Sequence, residues 1–238
     1  MKKDYFRGEV IQITETEDVR HLTNALRIKP GESFYVTDGE GGAFETSVSG
    51  VNKKSVTLKI TKVFPRLRRQ EKKVRVTIAC AVPRYAHFEE IVDKATQLGA
   101  DELIPLLTQR TLVSKEAFDK KRKRYDRILV AAAKQSGALF LPVLKPATDF
   151  QALIKVLPRY DLALIPYLAG ASVTLSDALK GFESGSILVL IGPEGDFTGQ
   201  EIKKALAAGC RGVTLGPSVL RVDTAAIAVL GFLRLMLG

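Results

Sequence analysis

From position 74 to the C-terminus, short apolar runs alternate with stretches of helical periodicity, and this alternation restricts the possible folds more than any other feature. Six runs have the length and composition of buried strands: 76–82, 103–106, 140–144, 162–165, 187–191 and 212–215. Helical patterns cover 86–98, 115–135, 150–157, 175–179, 198–208 and 224–237. Strands that alternate with helices form a mostly parallel sheet covered on both faces. The sequence therefore predicts an α/β domain over residues 74–238.

Residues 1–70 have the shorter rhythm of strands joined by turns. Apolar or alternating runs at 33–37, 43–51 and 55–60 are separated by turns, and a short helix is predicted at 18–26. This pattern predicts a small antiparallel barrel or sandwich. The basic stretch 66–73 is interpreted as the linker between the two domains.

The charge balance indicates a polyanionic partner. The chain has 36 lysines and arginines against 26 acidic residues, a formal net charge of +10. Two basic clusters lie at 62–75 and at 120–124, and either one alone is as typical of a solvated surface as of a binding surface. Together with the net charge, they favour RNA or DNA as the partner.

The cysteines and histidines indicate a reducing compartment and no metal site. Cys80 and Cys210 are far apart in apolar surroundings, and the two histidines have no metal-ligand spacing. The N-terminus at 1–5 lacks an apolar signal core, and the longest apolar stretches are too short to span a membrane. We therefore expect a cytoplasmic protein without bound metal and without a membrane partner.

Two glycine-containing loops, 192–195 and 216–218, follow the last two predicted strands. Ligands bind at the carboxyl ends of strands in open α/β sheets. The loops lack the lysine of a Walker A motif, and no G-x-G-x-x-G opens the first helix. If the two strands are neighbours, the loops would form one pocket of backbone amides with apolar walls, which suits a flat heterocycle such as adenine.

The last helical pattern, 225–237, is apolar almost all round and is interrupted only by Gly231 and Arg234. A helix of this kind is either a core element or part of an oligomer interface. Because it ends the chain, we favour a dimer contact.

The segments LIGPEGDFTGQEI (190–202) and LGPSVLRVDTAAIAVL (215–230) carry a resemblance to a known family. They resemble the paired signature of the RsmE family of SPOUT methyltransferases. HLTNALR (21–27), VTDG (36–39), KATQLGADELIPLLTQR (94–110) and AAAKQSG (131–137) are similar as well, so the resemblance covers nearly the whole chain.

The resemblance implies an activity and a fold. Members of this family methylate N3 of a uridine in small-subunit ribosomal RNA with S-adenosylmethionine, and they act as homodimers. The implied fold is a PUA-like β-barrel over 1–70, followed by a SPOUT-type parallel sheet with a C-terminal trefoil knot over 74–238. The implied substrate is small-subunit ribosomal RNA or the assembled small ribosomal subunit.

The resemblance also implies which residues form the site. Cofactor contacts are expected from Pro166, Leu190, Ile191, Gly192, Pro193, Glu194, Gly195, Leu215, Gly216, Val219, Leu220 and Thr224. In this set, Glu194 is interpreted as shaping the pocket rather than as a base. RNA contacts are expected from His21, Arg27 and Arg110 in the segments that carry the resemblance and, because of the charge of the basic linker, from Arg66, Arg68 and Arg69. For His21, a surface or capping role is the alternative.

Two residues are predicted to assist the chemistry. Methylation of uridine N3 requires a proton acceptor, or a cation that stabilises negative charge on the uracil carbonyls. Arg221 is predicted to supply the cation, with an ion pair to Asp223 or a helix end as the alternative. Asp223 is predicted to be the base, with a role as an N-cap or first-turn acid as the alternative.

Three segments depart from the family pattern. Arg221-Val222-Asp223-Thr224 stands where Arg-Thr-Glu-Thr is common, and 134–138, from Lys134 to Ala138, replaces Glu-Gln-Ser/Cys-Gly-Arg. Asp196 stands where a glycine is frequent. Two alternative functions stay open at this point: methylation of another RNA position, such as a ribose hydroxyl of tRNA, or an RNA-binding assembly factor with a vestigial pocket. The intact glycine loops favour an enzyme.

Overall fold

The computed structural model describes residues 6–83, 87–168 and 172–237. The N-terminal residues 1–5, examined above for a signal core, lie outside this part of the chain. The protein divides into two compact units, one up to Glu71 together with Gly137–Phe140, the other Lys72–Ser136 and Leu141 onward. In the part of the chain that is described, no helix is both long and apolar enough to cross a membrane.

Unit 1 contains a five-stranded antiparallel sheet with the order β1-β2-β5-β4-β3. Its strands are β1 (Phe6–Arg7), β2 (Val10–Ile13), β3 (Ser33–Thr37), β4 (Ala43–Val51) and β5 (Val56–Val63). The pairing of β4 with β5 shifts register at two points, and such bulges bend a strand. The predicted antiparallel character and all three predicted strands of this region are confirmed.

The core of unit 1 is a small apolar cluster that includes Ile11, Val48 and Leu58. Helix α1 (Thr16–Arg20) contributes Val19 to this cluster and continues into a π-helical turn, His21–Ala25. The predicted helix at 18–26 is therefore present, with its start two residues earlier.

A segment that follows the longest helix of unit 2 completes unit 1. The Gly41 amide donates to the Leu139 carbonyl at 2.9 Å, the Thr37 hydroxyl donates to the Ala138 carbonyl at 3.2 Å, and Phe140 forms a β-bridge with Glu40. The predicted strand at 140–144 is therefore wrong in its first part, since only its last two residues belong to the large sheet. The apolar side chain of Phe140 packs in unit 1 and not in the large sheet.

Unit 2 contains an eight-stranded parallel sheet with the order β11-β13-β10-β12-β6-β7-β8, and β9 also pairs with β7. Its strands are β6 (Val74–Ala81), β7 (Glu102–Leu107), β8 (Val143–Leu144), β9 (Thr148–Asp149), β10 (Leu162–Pro166), β11 (Val173–Thr174), β12 (Gly185–Ile191) and β13 (Arg211–Thr214). The predicted parallel α/β sheet is confirmed. The sequence did not reveal β9 and β11, because two residues are too few to form an apolar run.

Helices cover both faces of this sheet. They are α2 (His87–Gln97), α3 (Lys115–Ser136), α4 (Phe150–Ile154), α5 (Leu175–Ala178), α6 (Gly199–Ala207) and α7 (Val222–Leu237), with a 3-10 turn at Leu157–Arg159; the 3-10 turn Arg69–Glu71 belongs to unit 1. Ile187 and Val189 of β12 belong to the same apolar core as α2, α3 and α7, whereas Leu188 belongs to the core with α4 and α6. Alternate residues of a strand point to opposite faces, which explains the unbroken apolar run. Ala86, the first residue of the helix predicted at 86–98, lies outside the described residues.

The strand order corrects one expectation. β12 and β13, which precede the two glycine loops, are not neighbours, because β10 lies between them and Leu164 pairs with Val189 on one side and Arg211 on the other. No local pattern predicts this order, since strand adjacency depends on how the crossovers pack. The carboxyl end of β10 thus adds a third loop between the other two.

Candidate active site

A pocket of about 330 Å³ lies at the carboxyl ends of β10, β12 and β13. Ten of the twelve predicted cofactor residues line it: Pro166, Ile191, Gly192, Pro193, Glu194, Gly195, Leu215, Gly216, Val219 and Leu220. The other two lie nearby, Leu190 fully buried in β12 and Thr224 in the first turn of α7. The two glycine loops therefore share one pocket although their strands are not adjacent.

Ser218, from the predicted loop 216–218, lines the pocket as well, and six further lining residues were not found from the sequence: Tyr167, Leu168, Asp196, Thr214, Val222 and Ala225. Tyr167 and Leu168 follow β10, and only the observed strand order shows that this strand lies between the glycine loops. Val222 and Ala225 belong to the first turn of α7, whose apolar sequence was interpreted as a dimer contact or a core element and not as a pocket wall.

The loop after β12 is compact, and its first position leaves little room for a side chain. A Cβ atom on Gly192 would lie 3.1 Å from both the Asp196 Oδ1 atom and a ring carbon of Phe197. The Asp196 amide donates to the Pro193 carbonyl at 2.8 Å, which closes the turn. A larger residue at Gly192 would therefore displace the turn or enter the pocket.

Asp196 occupies a backbone conformation that favours glycine, with φ at 62°. Its Oδ1 atom accepts a hydrogen bond from the Phe197 amide at 2.7 Å, and its Oδ2 atom accepts one from the Leu168 amide at 3.5 Å. These bonds offset part of the conformational cost of a left-handed aspartate. They also connect the loop after β12 to the loop after β10.

Gly216, at the end of β13, also has a positive φ, 110°. A Cβ atom there would meet nothing within 4 Å, so this glycine is required for its backbone angle and not for space.

The predicted capping box at the start of α6 is present. Thr198 accepts from the Glu201 amide, and the Glu201 carboxylate accepts from the Thr198 amide at 2.9 Å. Glu201 is buried, and its other oxygen accepts from the Gln109 amide at 2.9 Å. The next residue, Arg110, donates to the Gly195 carbonyl. Arg110, predicted to bind RNA, thus lies exposed against the loop that lines the pocket.

Asp223 is the centre of a charged cluster beside the pocket. Its side chain is only 3% exposed, and its Oδ2 atom lies 3.1 Å from a terminal nitrogen of Arg221 and 3.1 Å from Nδ1 of His87. Its Oδ1 atom accepts from the Thr224 amide at 2.8 Å. Burial alone would raise the pKa of Asp223, but the Thr224 amide, the Arg221 charge and the His87 imidazole together hold it below its ordinary value.

The cluster bears on the two roles considered for each residue: cation or ion-pair partner for Arg221, and base or first-turn acid for Asp223. Arg221 forms the ion pair with Asp223, yet its side chain is 69% exposed, and one contact leaves most of its five N–H donors for a ligand. Asp223 is a first-turn acid of α7. His87 was not identified from the sequence, because its partner lies 136 residues away and no local pattern connects them.

His87, Glu90 and Asp223 have potential ligand atoms within 4.8 Å of one another. The arrangement fits a metal ion poorly, because the Arg221 guanidinium occupies the same Asp223 oxygen and would repel a divalent cation. The absence of a metal stays a prediction.

Burial also governs the two thiols. Cys80 and Cys210 are both buried and free. Burial raises the pKa of the Cys210 thiol to about 12 and that of Cys80 still further, so neither is a reactive thiolate.

In unit 1, the predicted RNA-binding residues fall into two groups. His21, Arg27 and Arg68 are exposed, and the Arg68 side chain is 77% exposed, with only a 3.9 Å approach to Glu71. Arg66, in contrast, pairs with the buried Asp38, and the Arg69 guanidinium lies 5.1 Å from the centre of the Phe140 ring. Arg66 and Arg69 thus have structural contacts within unit 1 in addition to any role towards RNA.

The second basic cluster lies on α3 and is partly structural. Arg122 donates to the carbonyls of Leu144 and Lys145, and Arg124 pairs with Glu89 at 2.7 Å. The lysines of this cluster are exposed: Lys120, Lys121 and Lys123.

Comparison with known proteins gives matches along nearly the whole chain. A family model described as an RNA methyltransferase domain matches residues 70–234, and one described as an RNA methyltransferase PUA domain matches residues 13–61. The ribosomal RNA small subunit methyltransferase E of Synechocystis sp. is 35% identical over 224 residues, which cover 93% of this chain and 72% of that protein.

The protein of the same name from Bacillus subtilis is 30% identical over 226 residues, which cover 90% of this chain and 86% of that protein. Among solved structures, a putative methyltransferase from Legionella pneumophila in complex with the bound cofactor SAM is similar with a TM-score of 0.84. It is 28% identical, and the match covers 99% of this chain and 96% of that one.

Proposed function

The chain belongs to the ribosomal RNA small subunit methyltransferase E family, and we propose that it transfers a methyl group from S-adenosylmethionine to N3 of a uridine in small-subunit (16S) ribosomal RNA. The observation that carries this proposal is the pocket formed by three strand-end loops, with Arg221 at its border. The proposed location of the protein, and of its RNA substrate, is the cytoplasm.

The pocket fits S-adenosylmethionine by its shape and by its donor set. Ile191, Leu215 and Leu220 supply apolar walls for a flat adenine, and the glycine loops bring backbone amides and carbonyls close to a ligand. A side chain at Gly192, which lines the pocket, would press against Asp196 and Phe197. Neither glycine loop contains a lysine, which agrees with a cofactor that carries no phosphate.

When bound, S-adenosylmethionine supplies a methyl group that its sulfonium has already activated. The residues of this chain then have to place the uridine in line with that methyl group and stabilise the charge that develops on the uracil. The exposed guanidinium of Arg221 is suited to the second task, because it can donate to a uracil oxygen while still contacting Asp223.

RNA binding is supported by the net charge of +10 and by exposed basic side chains in both units, Arg27 and Arg68 in one and the α3 lysines in the other. The homodimer and the trefoil knot that the resemblance implies stay predictions.

The proposal can be tested by following the methyl group. Small ribosomal subunits and naked 16S RNA from a strain that lacks this protein are incubated with it and with isotopically labelled S-adenosylmethionine, and the nucleosides are analysed by mass spectrometry. We expect label in 3-methyluridine at one RNA position. Label in a different nucleoside, or none in either substrate, would refute the assignment. Comparison of the two substrates shows which one the protein accepts.

A further inference from the structure

The proposed reaction needs a group that takes the proton from uridine N3. In its neutral form this nitrogen carries a proton and its lone pair is delocalised into the two neighbouring carbonyls, so it attacks a methyl group poorly. Arg221 can stabilise negative charge on a carbonyl oxygen, but a guanidinium remains protonated and cannot accept the proton.

Asp223 is poorly suited to this task, although the sequence suggested it. Its carboxylate is buried and its oxygens are occupied by the Thr224 amide, Arg221 and His87. All three contacts favour the ionised form, which makes the carboxylate a weak base. Its position instead suits a residue that orients a partner.

That partner is His87, the first residue of α2. Its Nδ1 atom lies 3.1 Å from the Asp223 Oδ2 atom, and its side chain is 44% exposed while Asp223 is buried. A neutral imidazole that donates from Nδ1 to a carboxylate has its lone pair on Nε2. Arg221 contacts the same Oδ2 atom and the Thr224 amide holds Oδ1, so the carboxylate is fixed in place and in turn fixes the ring and its tautomer.

We propose that His87, oriented by Asp223, accepts the N3 proton of the target uridine, while Arg221 stabilises the uracil oxygen. This inference rests on the proposed function. In the step, the N3–H bond breaks and the proton moves to Nε2 of His87. The N3 electron pair forms the bond to the methyl carbon, and the pair of the broken C–S bond stays on sulfur as a thioether. The imidazolium then returns its proton to solvent.

Neighbouring residues support this division of roles. Arg221 lies between Leu220 and Val222, which both line the pocket, so the cluster borders the space proposed for the cofactor. Among the described residues, the charged groups that face His87 are Asp223 and Arg221 from the start of α7 and Glu90 from its own helix. Cys80, at the end of β6, has a pKa far above the working range because it is buried, so the thiol does not compete for the proton.

The first test measures the rate constant of a single turnover against pH. In the wild type, the rate is expected to rise with pH and then level off once the proton acceptor is fully deprotonated. In His87→Gln, the rate at neutral pH should fall by about 100-fold or more, and it should keep rising roughly tenfold per pH unit, because N3 must then lose its proton unaided.

The second substrate in this test is RNA with 5-fluorouridine at the target position, whose N3 proton is more acidic. The loss of rate caused by His87→Gln should be smaller on this RNA. A purely structural defect would reduce the rate equally on both RNAs. Glu194→Gln changes one of the two acidic residues that line the pocket, and it should keep the plateau of the wild-type pH profile whatever its effect on the absolute rate. If Glu194→Gln loses the plateau and His87→Gln keeps it, Glu194 is the acceptor and the inference is wrong.

A third measurement does not depend on activity. The chain contains two histidines, so nitrogen NMR of the imidazoles shows two sets of signals, which His21→Gln assigns. We expect His87 in its neutral form to carry the proton on Nδ1, and Asp223→Asn to shift this tautomer balance. A neutral His87 protonated on Nε2 in the wild type would overturn the inference. A His87→Gln protein that loses cofactor affinity, measured by calorimetry, as much as it loses rate would overturn it too.

The failures of the two proposals can be told apart. If the wild type forms no 3-methyluridine, the proposed function fails whatever His87 does. If 3-methyluridine forms and His87→Gln retains the wild-type rate within about twofold, the proposed function stands and the role of His87 falls.

Discussion

Arg66 pairs with the buried carboxylate of Asp38, 28 residues earlier in the chain. The other Asp38 oxygen accepts from the amides of Glu40 and Gly42 at 2.8 Å and 2.9 Å, so the aspartate organises the whole turn between β3 and β4. Burial alone would raise the pKa of Asp38, but the two amides and Arg66 hold it below its ordinary value.

Removal of Arg66 should therefore destabilise unit 1. Arg66→Ala leaves a buried carboxylate without its cation, and because the arginine is about half exposed we expect a loss of about 1–2 kcal/mol in the free energy of unfolding. Urea denaturation measures this loss. The double variant Arg66→Ala with Asp38→Asn should recover part of it, and a single variant as stable as the wild type would show that the pair is not stabilising.

Arg68 should behave differently from Arg66, because it is exposed and has only a weak approach to Glu71. Arg68→Glu should leave stability unchanged and weaken RNA binding. The plot of log affinity against log salt should become less steep, with the magnitude of its negative slope reduced by about 1 or more. Fluorescence anisotropy across a salt series measures both quantities. Lys180→Glu, whose side chain is equally exposed at 77% in unit 2, is the matched control. Equal effects of the two variants would show that Arg68 does not contact RNA.

Arg221 and Gly192 should separate chemistry from cofactor binding. Arg221→Ala removes a preorganised charge donor, so turnover should fall by about 100-fold while cofactor affinity changes little. Gly192→Val places a branched side chain against Asp196 and Phe197, so cofactor binding itself should fail. Calorimetry with S-adenosylmethionine and a turnover assay distinguish the two. Equal loss of cofactor affinity in both variants would mean that Arg221 only shapes the pocket.

Asp196 should tolerate glycine better than alanine. At a φ of 62°, alanine carries the left-handed cost of about 1–2 kcal/mol without the side-chain bonds to the Phe197 and Leu168 amides. Asp196→Ala should therefore lower both stability and cofactor affinity, whereas Asp196→Gly should keep the turn. Thermal unfolding with and without cofactor measures the difference. If Asp196→Gly has lower stability and cofactor affinity than Asp196→Ala, the backbone angle does not explain the preference at this position.

The end of α7 provides the test of the predicted homodimer. Leu235 and Met236 are 86% and 54% exposed, although seven of the sixteen residues of the helix are buried, and exposed apolar side chains of this kind are typical of a contact surface. Leu235→Glu with Met236→Glu should convert a dimer to a monomer in light scattering after gel filtration. Leu206→Glu, at an exposed leucine of α6, is the control. A wild-type monomer at micromolar concentration would contradict the prediction.

The sequence predicted those parts of the structure that depend on local patterns. The apolar run 187–191 identified a central strand because period and composition are local properties, and the capping box at Thr198 fixed the start of a helix. The glycine loops located most of the pocket for the same reason.

The sequence did not predict features that depend on pairs of distant residues. The position of β10 between β12 and β13 is a property of packing. Arg66 looked like a member of a surface cluster because its buried partner is 28 residues away. The contact of His87 with Asp223 is visible only when the helix start of α2 meets that of α7.

The return of the chain to unit 1 at Gly137–Phe140 has a consequence for biosynthesis. N-terminal domains usually fold first, while the rest of the protein is still being made. Here the Gly41 amide obtains its acceptor from Leu139, and the Phe140 ring lies under Arg69. When Glu71 leaves the ribosome, unit 1 is therefore still incomplete, and it can acquire its final hydrogen bonds only after the whole of α3 has been synthesised.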